Sequence, residues 1–202
     1  MIRDFSQQGE AKWVLDTLDY KKDGTFVDIG CATPFYLNNT AVLEMEYGWK
    51  GIAVDREAHS GVYHDPINCP GKYPQDILDN PHLQTWNTRD RTRVYETDAL
   101  VCNYEKMFEE SDMPEIIDFL NVDLHPPDVT LNAFRALPHH KYKFRSIIFE
   151  TDAYTMPISG RLEFTTPDEW LSITRKIISS YGYEFVKQDG QNDMYVLGKK
   201  GD

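Results

Sequence analysis

The stretch TFVDIGCATPFYLNNTAVLEMEYGWKGIAVD, residues 25–55, decides the fold. It opens on TFVDI (25–29), a short β-rich apolar run, and turns at Gly30. A helical stretch follows over 39–47, and extended structure returns at GIAV (51–54). Strand, turn, helix and strand in that order is the repeating unit of a parallel sheet covered by helices.

The same alternation continues outward. Further strands are predicted at RVYE (93–96), IIDFLNV (116–122), RSIIFE (145–150), YEFVKQ (183–188) and MYVLGK (194–199). Helices are predicted over 10–19, 103–110, 128–137 and 167–181. The middle strands are mainly apolar and read as buried on both faces. Only DGQND (189–193) separates the last two, and Asp-Gly marks a hairpin, so those two are expected to be antiparallel. The expected architecture is α/β, a mostly parallel sheet of seven strands with a C-terminal antiparallel hairpin and helices on both faces. No repeat or Gly/Ser-rich linker divides the 202 residues, so a single domain over 1–202 is expected.

The chain holds 33 acidic against 21 basic residues, a formal net charge of −12, which disfavours wrapping a phosphate backbone and makes nucleic acid an unlikely partner. Lys141, Lys143 and Arg145, the densest basic cluster, abut an apolar run and read as a solvated strand entrance. No run has the length of a membrane span, and MIRDFSQQGE lacks the order of a secretory signal, so a cytoplasmic location is expected. Cys31, Cys69 and Cys102 have neither zinc nor disulfide spacing and read as reduced thiols, Cys31 buried or lining a ligand. Asn38-Asn39-Thr40 matches a glycosylation sequon but reads better as a helix start.

In open α/β sheets ligands gather beyond the carboxyl ends of the strands. Those ends are acidic here: Asp28, Asp55, Asp98, Asp123 and Glu150 with Asp152. Gly30 permits a tight turn that brings backbone amides toward a ligand, and Asp55 is placed to accept hydrogen bonds from two ribose hydroxyls. Both G-x-G-x-x-G and the P-loop pattern are absent, which argues against NAD and ATP.

SQQGE (6–10), FVDIG (26–30), YLNNTAVLE (36–44), GWKGIAVD (48–55), DFLNVDLH (118–125) and IIFETD (147–152) together make the chain resemble the FkbM-like group of class I S-adenosylmethionine-dependent methyltransferases, which are Rossmann-like. The resemblance spans most of the chain and implies S-adenosylmethionine as cofactor and a small molecule or sugar as acceptor. It implies that Asp28, Gly30 and Cys31 form the loop at the methionine end and that Asp55, with Arg56 beside it, holds the ribose. It further implies that Asp98 and Ala99 address adenine, and that Ser6 and Gln7 close over the cofactor. The alternative for Ser6 is to cap the first helix.

Two departures stand out. The family's loop continues to a second glycine where this chain has Pro34, which removes an amide donor. Where relatives read D-x-E-G after the fourth strand, this chain reads Asp123-Leu124-His125-Pro126, so the glutamate's role is either lost or passed to His125. Imidazole ordinarily titrates near ~6.5, so His125 is the candidate general base for O-methylation, with Asp123 holding its ring. A surface histidine before a turn is the other reading. Asp123, Glu150 and Asp152 are candidate oxygen ligands for Mg²⁺. Residues 57–91, with His59, Tyr63, His64, Tyr73, His82 and Trp86, read as a lid over the acceptor or as an inert excursion. Tyr154, Met156 and Arg161 are candidates for its opposite wall. Set against the enzyme is a catalytically silent Rossmann-like module that binds a nucleoside or a protein partner.

Overall fold

The computed structural model describes residues 5–35, 37–58, 85–153 and 166–199. The expected lid lies largely outside the described residues, as do Cys69, Tyr154, Met156 and Arg161. In chain order the elements are α1 (Glu10–Thr17), β1 (Thr25–Ile29), α2 (Ala41–Tyr47), β2 (Lys50–Asp55), β3 (Thr92–Glu96), α3 (Tyr104–Glu110), β4 (Ile116–Val122), α4 (Pro127–Ala136), β5 (Lys143–Glu150), α5 (Pro167–Ser180), β6 (Tyr183–Asp189) and β7 (Asn192–Leu197). The seven strands form one sheet in the order β3-β2-β1-β4-β5-β7-β6. The β1/β2, β2/β3 and β4/β5 pairs are parallel, and β7 runs antiparallel to both β5 and β6. The chain forms two compact units, residues 1–102 and 103–202.

In the first unit every residue of β1 is buried, Asp28 included. The α1 stripe Ala11, Val14 and Leu15 and the α2 residues Ala41, Val42 and Leu43 supply apolar surface to the same interior. Trp49, between α2 and β2, is fully buried, and its indole N–H donates to Lys21 O at 2.8 Å, so its one polar atom is satisfied.

The second unit holds the most apolar strands. Six of seven β4 residues are buried, whereas β6, at the sheet's edge, is mostly exposed. Thr166 caps α5 by accepting from Glu169 N at 3.2 Å, and Pro167 occupies the first helical position. Trp170, Thr174 and Ile178, four apart, form the buried stripe of that helix. The hairpin is tighter than DGQND suggested: Asp189 pairs with Asn192, leaving Gly190 and Gln191 as the loop. Gly190 has φ 57°, the positive value a two-residue hairpin requires at its first central position.

His139 is the buried imidazole of this unit, 6% exposed, with Nε2 2.7 Å from Phe134 O and its ring against Phe134 and Tyr181. Burial is the main cause that pushes its pKa down to about 4; the Phe134 carbonyl opposes this and the Lys143 charge adds to it. A histidine depressed on folding stabilises fully above its unfolded value and loses that contribution as pH falls toward the folded value. Between pH 6.5 and about 4 the fold should therefore lose about 3 kcal/mol from this side chain. Urea unfolding across that range should show a steeper decline for the parent than for His139→Phe. Equal slopes would remove His139 as the cause.

Candidate functional site

The first unit builds a polar rim at the carboxyl ends of β1, β2 and β3. Gly30, with φ 84°, turns the chain off β1, and Ala32 also has a positive φ of 41°. The amides here do not stand open as the sequence suggested. Those of Gly30 and Cys31 donate to Val54 O at 2.8 and 3.4 Å, and that of Ala32 to Asp55 Oδ2 at 3.0 Å. The turn is thus stitched to β2. Asp55 also accepts from Glu57 N through Oδ1 at 2.9 Å. Two oxygens offer about four acceptor sites, so each amide leaves further capacity for ribose hydroxyls.

Asp28 is 1% exposed, and its Oδ2 accepts from Thr40 Oγ1 at 3.0 Å and Asn38 Nδ2 at 3.3 Å. It therefore acts on the loop from inside. Cys31 is buried against Ala53, Ala58 and Trp86. Burial first, then the charges of Asp28 and Asp55, raise its thiol pKa well above the ordinary range, which makes it an inert packing residue. Asp98 accepts from Leu100 N at 2.9 Å and pairs with Arg56 Nη2 at 2.7 Å. The Leu100 amide first, and the guanidinium after it, hold that carboxyl below its usual range. Ala99 beside it is buried. Ser6 Oγ accepts from Ala11 N at 3.4 Å, which ties it to the first turn of α1, and Gln7 is exposed.

What the sequence reading missed in this unit is Arg89. It is 2% exposed and pairs with Glu44 at 2.6 Å. Pro34, which removes an amide donor from the loop, contributes its carbonyl and accepts from Arg89 Nη1 at 2.6 Å. A signal existed: Glu44 follows Ala41, Val42 and Leu43 on a buried run, and an acid there demands a partner.

The second unit carries the other candidates. His125 Nδ1 lies 2.9 Å from Asp152 Oδ2, the imidazole side chain 69% exposed and the carboxylate side chain 4%. Asp152 thus supports the ring from the end of the neighbouring strand. Both loops are anchored. Leu124 O accepts from Thr130 Oγ1, while Thr151 donates to Gln191 O through N and Oγ1, at 2.8 and 2.7 Å. Trp170 Nε1 donates to Thr151 O at 2.7 Å, so Asp152 follows a residue clamped from two elements. Among the described residues no group of three or more His, Cys, Asp or Glu is arranged to hold a metal ion. Asp123, Glu150 and Asp152, the candidate Mg²⁺ ligands, are not found as such a group, and Asp152 is buried beside His125.

No family model and no curated protein matches the chain. Solved structures do. A putative rRNA methylase from Clostridium thermocellum aligns with a TM-score of 0.51 at 11% identity, over 96% of this chain and 98% of that one. The apo structure of CalS11, a TDP-rhamnose 3′-O-methyltransferase of calicheamicin biosynthesis, also gives 0.51, at 12% identity over 94% of this chain and 78% of that one. At such identities the likeness is one of fold, and the chain has the Rossmann-like fold that these two methyltransferases share.

Proposed function

We propose that this chain is an S-adenosylmethionine-dependent methyltransferase of the FkbM-like kind, a single cytoplasmic domain that methylates a hydroxyl of a small molecule or sugar. The observation that carries the reading is the exposed imidazole of His125 backed by the buried carboxylate of Asp152, in a chain with a methyltransferase fold. S-Adenosylmethionine supplies an activated methyl group when bound. Asp55 would take the ribose hydroxyls, the turn at Gly30 would adjoin the methionine end, and Asp98 with Ala99 would border adenine. Arg56 orients Asp98. Asp152 holds the Nδ1 side of His125, which leaves Nε2 to accept the acceptor's hydroxyl proton as the oxygen–carbon bond forms and the sulfur–carbon bond breaks. The proton then passes to solvent. Asp123 borders the acceptor, and no step is assigned to a metal.

The described residues contain no helix long and apolar enough to cross a membrane. One fold neighbour is named an rRNA methylase, so the acceptors to be tried include RNA alongside sugars, lipids, peptides and small metabolites. Calorimetry with S-adenosylmethionine should show binding, and release of S-adenosylhomocysteine should identify the acceptor. Absence of binding would overturn the assignment; binding with no turnover on any acceptor would favour the silent nucleoside-binding module.

A further inference from the structure

Arg89 stands between β2 and β3 in sequence, with no part in the site read from the strand ends, yet its guanidinium is buried and fully engaged. All five of its N–H donors have an acceptor. Nε reaches Glu44 Oε2 at 2.6 Å, Nη1 reaches Pro34 O at 2.6 Å and Asn38 Oδ1 at 3.3 Å, and Nη2 reaches Thr40 Oγ1 at 3.1 Å and Thr92 Oγ1 at 3.2 Å. Its other surroundings are aromatic, with Trp86, Phe35 and Phe26 rings 5.4 to 6.0 Å from the guanidinium carbon.

These contacts divide into two arms. One is structural: Glu44 also accepts from Arg91 N at 2.8 Å and from Thr92 Oγ1, which joins α2 to the start of β3. The other runs into the loop after β1. Asn38, touched by Arg89 through Oδ1, shares its amide hydrogens among Thr33 O at 2.9 Å, Cys31 O at 3.3 Å and Asp28 Oδ2 at 3.3 Å. One guanidinium therefore holds the loop at both Pro34 and Asn38. Pro34 offers no amide and its ring fixes φ, and its carbonyl is held by the Arg89 side chain.

We propose that Arg89 is a positioning residue for the cofactor loop, its one fork holding that loop at both Pro34 O and Asn38 Oδ1. The inference rests on the S-adenosylmethionine reading above. A lysine would keep the charge beside Glu44 but, having a single ammonium, could not also hold Pro34 O and Asn38 Oδ1 in the same geometry.

The test measures S-adenosylmethionine affinity by calorimetry, thermal unfolding, and amide hydrogen exchange of residues 31–40 in the full chain. Arg89→Lys and Asn38→Ala, which cut the loop arm, should weaken binding about 10- to 100-fold and speed exchange in the loop. Thr92→Val, which cuts only the structural arm, should lower the melting temperature and leave affinity within about threefold. The proposal is overturned if both loop-arm variants bind like the parent, or if affinity in all three variants simply follows stability. Asn38→Ala supplies the answer should Arg89→Lys fail to fold. Should the parent itself not bind S-adenosylmethionine, the functional reading falls, and the exchange rates still decide whether Arg89 holds the loop.

Discussion

Replacing His125 by alanine is expected to lower turnover about 10²- to 10⁴-fold, the range a positioned general base contributes, while affinity for S-adenosylmethionine stays near that of the parent. The split follows from placement. His125 follows β4, in the second unit, whereas the residues assigned to the cofactor belong to the loops of the first. Its imidazole is exposed and rests through Nδ1 on a buried carboxylate, so the ring is oriented with Nε2 available for the proton. Asp152→Asn keeps the size of that support and removes its charge. It should lower turnover by at least about tenfold, with KM for the acceptor little changed, because the amide supports the imidazolium formed in the transition state less well. Single-turnover rates across pH check both variants. A His125→Ala protein that turns over at the parent rate would leave the histidine a surface residue before a turn.

The second large effect concerns stability. Arg175 on α5 clamps Asp193 on β7 in a two-pronged pair, Nε to Oδ2 and Nη2 to Oδ1, both at 2.7 Å. The Asp193 side chain is 0% exposed, and its Oδ2 also accepts from Tyr195 Oη at 3.1 Å. The guanidinium lies over Phe185 at 4.3 Å and reaches Gln188 Oε1 at 2.9 Å, so a single side chain ties the helix to both strands of the hairpin. Arg175→Leu strands a buried carboxylate and should cost about 3–5 kcal/mol. The double variant Arg175→Leu/Asp193→Asn removes the stranded charge and should be more stable than the single one. Urea denaturation measures both. A loss below about 1 kcal/mol for the single variant would place this pair with ordinary surface ion pairs.

Much of the fold was legible because its signals are local. The five residues of TFVDI and the seven of IIDFLNV are strands in the structure, and the Thr-Pro-Asp-Glu start of α5 caps as written. Boundaries moved by one or two residues where a cap or a pair intervened. Asn39 and Thr40 precede α2 rather than opening it, since Asn38 and Thr40 are spent on Asp28. The hairpin loop shrank because Asp189 and Asn192 pair.

The candidate site was legible only in part. Asp55 and Gly30 fall at the turn where strand-end reasoning placed them, but the direction of the amides was not written in FVDIG. Nearness in sequence pointed to Asp123, and the structure sets Asp152 against the ring. A residue two positions away lies along the chain, whereas Asp152, 27 residues on, arrives at the neighbouring parallel strand's end.

By itself the sequence determined the alternation of strands and helices, the closing hairpin and the acidic strand ends, because hydrophobic period and turn chemistry act over a few residues. Tertiary structure alone decided which charges meet. Glu44 finds Arg89 across 45 positions, and Arg175 finds Asp193 across 18. No local pattern specifies such partners. They are selected when burial withdraws water from a charge and leaves one guanidinium or imidazole within hydrogen-bonding reach.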